Sequence, residues 1–152
     1  MKFTLDVVIE APLEHVLSLL ADPEHAKHWQ PEVQRIEWLS GVPGAAGSTC
    51  RHHLLMPNGR QASADETFLR RDPDGTEESV GLVNGIEFRM LARPLPTGQG
   101  QVRWVVEHDL SMHPIRAAMA FVLGPMIRRQ SQAQLNRFAG WAESTYKATR
   151  GA

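Results

Sequence analysis

Apolar and polar positions alternate from the first residues of the chain. Phe3, Leu5, Val7 and Ile9 fall on one side of residues 2–10, and Lys2, Thr4, Asp6 and Glu10 on the other, with Val8 the exception. Period two of this kind predicts a half-buried strand. Pro12 suits the first turn of a helix, where its missing N–H would have had no partner. Val16, Leu19 and Leu20 give that helix an apolar stripe, and it ends near Asp22-Pro23. A second short helical stretch, from about Pro23 to Trp29, is closed by Pro31. Six strand-like runs follow: Val33–Ser40, Thr49–Met56, Ala62–Arg70, Thr76–Val83, Ile86–Arg93 and Val102–Met112. The punctuation between them is turn chemistry, including Pro57-Asn58-Gly59, Asp72-Pro73-Asp74-Gly75 and Asn84-Gly85, and such short links make an antiparallel meander. Ile115 to about Lys147 reads as one long helix. Counting 100° per residue from Met119 gathers Leu123, Met126, Ile127, Phe138 and Trp141 into one sector, with Gln130 and Gln134 inside it. Phe121 and Leu135 fall outside that sector. Gly124-Pro125 predicts a kink or a break.

The order strand, two short helices, six strands, long helix is an α+β pattern. Its apolar faces are buried by a seven-stranded, curved antiparallel sheet wrapped around the long C-terminal helix, with the two short helices after strand 1. A sheet gripping a helix leaves room between them, and ligands bind in such spaces. Strand parity aims Val102, Trp104, Val106 and His108 at the helix, together with Ile86, Phe88, Met90 and Ala92. It also aims Val80 and Leu82 inward, and Ala62, Ala64, Glu66 and Phe68. Small residues on a concave face leave volume to fill. His108 and Glu66 are thus expected as polar groups on an apolar wall, where burial costs free energy unless a partner is found.

Composition narrows the class. With 152 residues, 42% hydrophobic and 22% charged, residues 1–152 are expected to form one domain. A net charge of −1 lacks the basic footprint of a nucleic-acid binder. The single cysteine, Cys50, allows no intramolecular disulfide and reads as a small core residue, and a reducing cytoplasmic setting is expected. No apolar run is long enough for stable membrane insertion. Adjacent His52 and His53 point to opposite faces and cannot chelate together, and His25-x-x-His28 lacks an acidic or thiolate partner, so no metal and no cofactor are expected. The segment from Ala117 to Ile127 is apolar all round apart from Gly124-Pro125, with Arg116 before it and Arg128 and Arg129 after it. Such a segment could carry a homodimer patch.

Several segments resemble the SRPBCC superfamily, the helix-grip fold of START domains, polyketide cyclase/dehydrase proteins and the birch pollen allergen. They are Val7-x-Ile9-x-Ala11-Pro12-x-x-x-Val16, Leu20-x-Asp22, Trp29-x-Pro31-x-Val33, the turn from Gly41 to Ser48, and Glu66-Thr67. The resemblance spans nearly the whole chain and implies a cavity for an apolar or aromatic, lipid-like small molecule. Fold alone does not carry an activity. Three functions stay open: binding of a small hydrophobic ligand, a cyclase or dehydratase reaction using His108 and Glu66, and protein interaction with a filled cavity. The expected ligand-binding set is Glu66, Phe68, Phe88, Met90, Trp104, His108, Met119, Leu123, Gln130 and Gln134.

Overall fold

The computed structural model describes residues 1–98, 100–114, 118 and 120–151. Strand β1 (Lys2–Ile9) leads into helix α1 (Leu13–Leu20) and a 3₁₀ helix (Pro23–His28). Strands β2 (Val33–Ser40), β3 (Thr49–Leu55), β4 (Gln61–Arg71), β5 (Glu77–Val83), β6 (Ile86–Gly98) and β7 (Gln101–Ser111) follow, and helix α2 (Ala120–Arg150) comes last. The seven strands form one sheet in the order β1-β7-β6-β5-β4-β3-β2, every pairing antiparallel. This is the helix-grip arrangement that the sequence predicts.

Local chemistry explains the joints. Asn84 and Gly85 both take positive φ, 51° and 76°, the two-residue turn whose twist matches a hairpin. That turn sets the β5–β6 register, Val83 opposite Ile86 and Ser79 opposite Met90. Because partners share a face, Met90 facing in requires Ser79 and Glu77 to face in too. The inward placement of Val80 and Leu82 is therefore corrected: Leu82 is exposed, and Ser79 is buried. A bulge in β4 makes Leu69 the extra residue, so Arg71, not Arg70, joins Phe68 on the inner side.

Strand β6 runs on through Pro94 and Pro96, beyond the expected end at Arg93. Pairing with β5 stops at Ala92, so past it β6 has only β7 beside it, and a proline without an N–H loses no bond on the free side.

Helix α2 contributes its core stripe at Leu135, Phe138, Ala139 and Ala142, the i, i+3, i+4, i+7 spacing of one face. These pack on Val102, Trp104 and Val106 of β7, on Ile9, and on Val16 of α1. The phase differs from the one counted from Met119. Leu135 is buried, whereas Met126 is exposed, because the early part of the helix is apolar all round and defines no phase. Pro125 lies inside α2 without ending it. Phe121 and Val122 are 95% and 74% exposed. Among the described residues, no helix is long and apolar enough to cross a membrane.

Candidate functional site

A cavity of about 140 Å³ lies between the concave sheet, the 3₁₀ helix and α2. That is close to the size of an engineered protein cavity that accepts a benzene molecule. The space is not filled by side chains. Its apolar wall comes from Leu19, Leu20, Trp29, Phe68, Met90, Ala92, Trp104, Val106 and Leu135. Its polar side comes mainly from His52, Glu66, Glu77, Ser79, His108 and Gln134.

Behind the apolar wall, the ring of Phe138 sits 4.6 Å from Trp104 and 5.3 Å from Trp29, centroid to centroid. It holds both tryptophans in place as a rigid backing.

The polar side is a connected network. Cys50 and His52, two apart on β3, share a face, and Cys50 stands directly opposite Glu66 on β4. His52 Nε2 lies 3.5 Å from Cys50 Sγ and 3.2 Å from Glu66 Oε1. Ser79 Oγ donates to the other Glu66 oxygen at 2.9 Å. Burial works against the charge on His52, but hydrogen bonds to Cys50 and Glu66 outweigh it and push its pKa up to about 10. Glu77 is the neighbouring acid. Burial, then the Glu66 charge, pushes it up to about 7, and Arg71 pulls the other way.

Arg71 closes the rim. Its guanidinium pairs with Glu77 at 3.1 Å and donates to the carbonyls of Leu20 at 2.7 Å, Ala21 at 3.4 Å and Gly44. One side chain thus ties the end of α1 and the β2–β3 turn to the sheet.

Three buried polar atoms among the described residues have no hydrogen-bond partner in the protein: His52 Nδ1, Trp104 Nε1 and His108 Nε2. All three belong to residues that line the cavity. Buried polar groups are normally paired, so three unpartnered atoms on residues around one space depart from the rule.

The polyketide cyclase/dehydrase and lipid transport family model matches residues 1–143. The chain belongs to this family. A search of curated proteins by sequence found no match. The solved structures show what the fold of this polyketide cyclase/dehydrase family member resembles. TTHA0849 from Thermus thermophilus is 17% identical with a TM-score of 0.77, covering 95% of this chain and 99% of its own. An aromatase/cyclase from Streptomyces is 19% identical with a TM-score of 0.76, covering 94% and 93%. A START superfamily protein from Mycobacterium smegmatis is 16% identical with a TM-score of 0.71, covering 97% and 98%.

In this family member, six residues of the expected ligand-binding set, Glu66, Phe68, Met90, Trp104, His108 and Gln134, line the cavity. Phe88, Leu123 and Gln130 do not. Phe88 shares the inner face by register but spreads its ring over Gly81, where a Cβ would come within 2.3 Å of it. Gln130 is exposed and Leu123 only half-buried, because the helix phase places the buried stripe elsewhere. Met119 lies outside the described residues. Of the small inner residues, Ala92 lines the cavity and Ala62 and Ala64 do not. His53 points away from His52 and meets Glu37 at 3.0 Å on the opposite face. His28 is stacked on Trp141, ring centroids 4.8 Å apart. The sequence reading missed His52, Ser79 and Glu77. The hairpin centred on Asn58 sets Cys50 against Glu66 and carries the signal for His52.

His108 stacks on Phe3, ring centroids 4.7 Å apart, and burial lowers its pKa from 6.5 to about 4. The unfolded chain therefore takes up this proton first as the pH falls. The stability concerned is fully present above pH 6.5 and is lost between pH 6.5 and about 4, by at most about 3 kcal/mol. Urea unfolding of the parent and of His108→Gln between pH 7.5 and 4.5 measures it. The parent should lose more stability than the variant across that window, and parallel curves would show that His108 is not desolvated.

Proposed function

We propose that this protein binds a small, mostly apolar molecule carrying hydroxyl or carbonyl groups, held between the concave sheet and α2. The supporting observation is the set of three unpartnered polar atoms, His52 Nδ1, Trp104 Nε1 and His108 Nε2, on residues around one largely apolar cavity. Trp104 Nε1 and Nδ1 of the protonated His52 can only donate, whereas Nε2 of the neutral His108 donates or accepts according to its tautomer. A phenol-like or keto-bearing ring meets those needs and buries its apolar body against Phe68, Met90 and Trp104. The cavity volume favours a molecule of one or two rings. The family and the fold of its solved neighbours support a ligand of this kind.

Native mass spectrometry of protein purified gently from its own host is the first test, with a copurified small molecule as the expected result. A panel of hydroxylated one- and two-ring aromatics, followed by tryptophan fluorescence, is the second. Replacing His108 by Phe should weaken the best binder by about 1–2 kcal/mol through loss of one hydrogen bond. Binding of the hydroxylated and the plain hydrocarbon rings with equal affinity would defeat the reading.

A second reading, turnover of that molecule by a cyclase or dehydratase reaction, rests on the carboxyl pair. Glu77, held near 7, is suited to give a proton near neutrality, while Glu66 is held by His52 and Ser79. This moves the acid–base role from His108 with Glu66 to Glu77 with Glu66. Glu77→Gln should then lower turnover by roughly 100-fold or more while largely keeping binding.

A further inference from the structure

Cys50, His52 and Glu66 form the one group of three potential metal ligands found among the described residues, their donor atoms all within 4.8 Å of one another. We propose that these three side chains form a divalent metal site of the zinc type, opening onto the cavity. Three features of the geometry carry it. First, His52 Nε2 faces Cys50 Sγ at 3.5 Å and Glu66 Oε1 at 3.2 Å at once. One ring nitrogen has a single in-plane hydrogen or lone pair, so it serves one of these partners well and not both. A cation between the three serves all of them. Second, tetrahedral zinc with ordinary bonds of about 2.3 Å to sulfur and about 2.0 Å to nitrogen and oxygen has N···S and N···O edges of roughly 3.5 and 3.3 Å. The two separations made by His52 match those edges before any ion is bound, and the third, sulfur to carboxylate, lies within 4.8 Å and closes to about 3.5 Å when the side chains turn onto the ion. Third, the donors stand on paired strands rather than on loops, and Ser79 donates to the remaining Glu66 oxygen, orienting the carboxylate.

The donor set selects the metal. A thiolate, an imidazole and a carboxylate suit borderline Zn²⁺, whereas Mg²⁺ and Ca²⁺ call for oxygen ligands throughout. A dication with one thiolate, one carboxylate and a neutral imidazole leaves the buried group without net charge. Three protein ligands leave a fourth position, and because His52 and Glu66 line the cavity, that position faces it. A hydroxyl or carbonyl oxygen of a bound molecule, or a water, would complete the tetrahedron.

Cobalt is the test, because Co²⁺ adopts the geometry of zinc and reports its ligands by colour. Titrating the zinc-free full-length protein with Co²⁺ should give one ion per chain, tetrahedral bands in the visible, and a thiolate-to-cobalt charge-transfer band in the near ultraviolet. Cys50 is the only cysteine, so a band at one ion per chain identifies its sulfur without any variant. Zn²⁺ should displace the colour. His52→Gln and Glu66→Gln, checked for folding by circular dichroism, should each weaken binding at least about tenfold, since even the loss of an outer-shell partner costs that much. Absence of the near-ultraviolet band overturns the proposal. So does a band that persists in Cys50→Ser, or affinity that none of the three substitutions alters, which would assign the metal to surface histidines instead. None of these readouts requires the organic ligand, so the metal site and the binding reading stand or fall separately.

Discussion

Replacing Phe138 by Ala should cost about 3–5 kcal/mol of stability, the range for an aromatic ring removed from a packed core. The ring is fully buried and touches Trp104, Trp29 and Trp141, so no one neighbour can fill the space that it leaves. Urea unfolding should show the midpoint falling with the slope unchanged. The loss should be read a second time in the cavity. Trp29 and Trp104 line it and lean on Phe138, so ligand affinity should fall although Phe138 is not among the lining residues. Phe138→Leu keeps most of the volume and should cost far less. A stability loss below about 1 kcal/mol for the alanine variant would mean that the tryptophans collapse into the gap, and the rigid backing proposed for them would be wrong.

The second large effect is expected at Arg71. Its side chain is only 16% exposed and answers a carboxylate and three backbone carbonyls. Arg71→Met keeps much of the aliphatic stem but removes the guanidinium that lies over the Phe68 ring, and it leaves Glu77 without its counter-charge and the carbonyls without a donor. Removing one partner of a fully buried pair costs about 3–5 kcal/mol, and because the Glu77 side chain is 32% exposed the loss here should fall at the lower end of that range. Arg71→Lys should recover only part of this, since an ammonium cannot reproduce the planar fork. Glu77 also loses the group that opposes its upward shift, so its pKa should rise above 7 in the Met variant, and NMR titration of the side-chain carboxyl can follow it. A loss of less than about 1 kcal/mol would show that water replaces the guanidinium at the rim.

Much of this architecture is legible in the chain because turns and alternation are short-range signals. The Asn84-Gly85 dipeptide and the alternation of Val102 to His108 act within a hairpin, and the elements they predict are present. The differences lie where one signal depends on its neighbour. Val80 and Leu82 look like an inner face on hydrophobicity, yet the two-residue turn beside them already requires Ser79 and Glu77 to face in with Met90. Apolar residues mark a buried face only where a strand has nothing polar to bury, and here the inner face is where the chemistry sits. The bulge at Leu69 has no such local mark, and it moves Arg71 to the inside. Likewise the apolar run before Arg128 is a poor origin for the helix phase, since no polar residues in it mark an exposed side. The 135-138-139-142 stripe, flanked by exposed Asn136, Arg137 and Gly140, is the segment that carries phase information. Cys50 is a buried residue as its type suggests; that it stands against Glu66 follows from a hairpin register, not from its own neighbours in the chain.

The strand order has a consequence for how the chain reaches this state. Five of the six pairings join strands that follow one another, so β2 to β7 can assemble from successive hairpins, each closing a short loop. The sixth joins β1 to β7, Lys2 opposite Asp109, and must close a loop of about a hundred residues. Long-range contacts of this kind are expected to form late, after the local ones have confined the chain. Helix α2 packs against β1 and becomes stable only once both are present. Substitutions in β1 should therefore change the unfolding rate and leave the folding rate nearly untouched, whereas those in the β4–β5 hairpin should slow folding. The cup is then built before the helix that closes it, and in the reverse direction β1 and α2 are the first to part from the sheet.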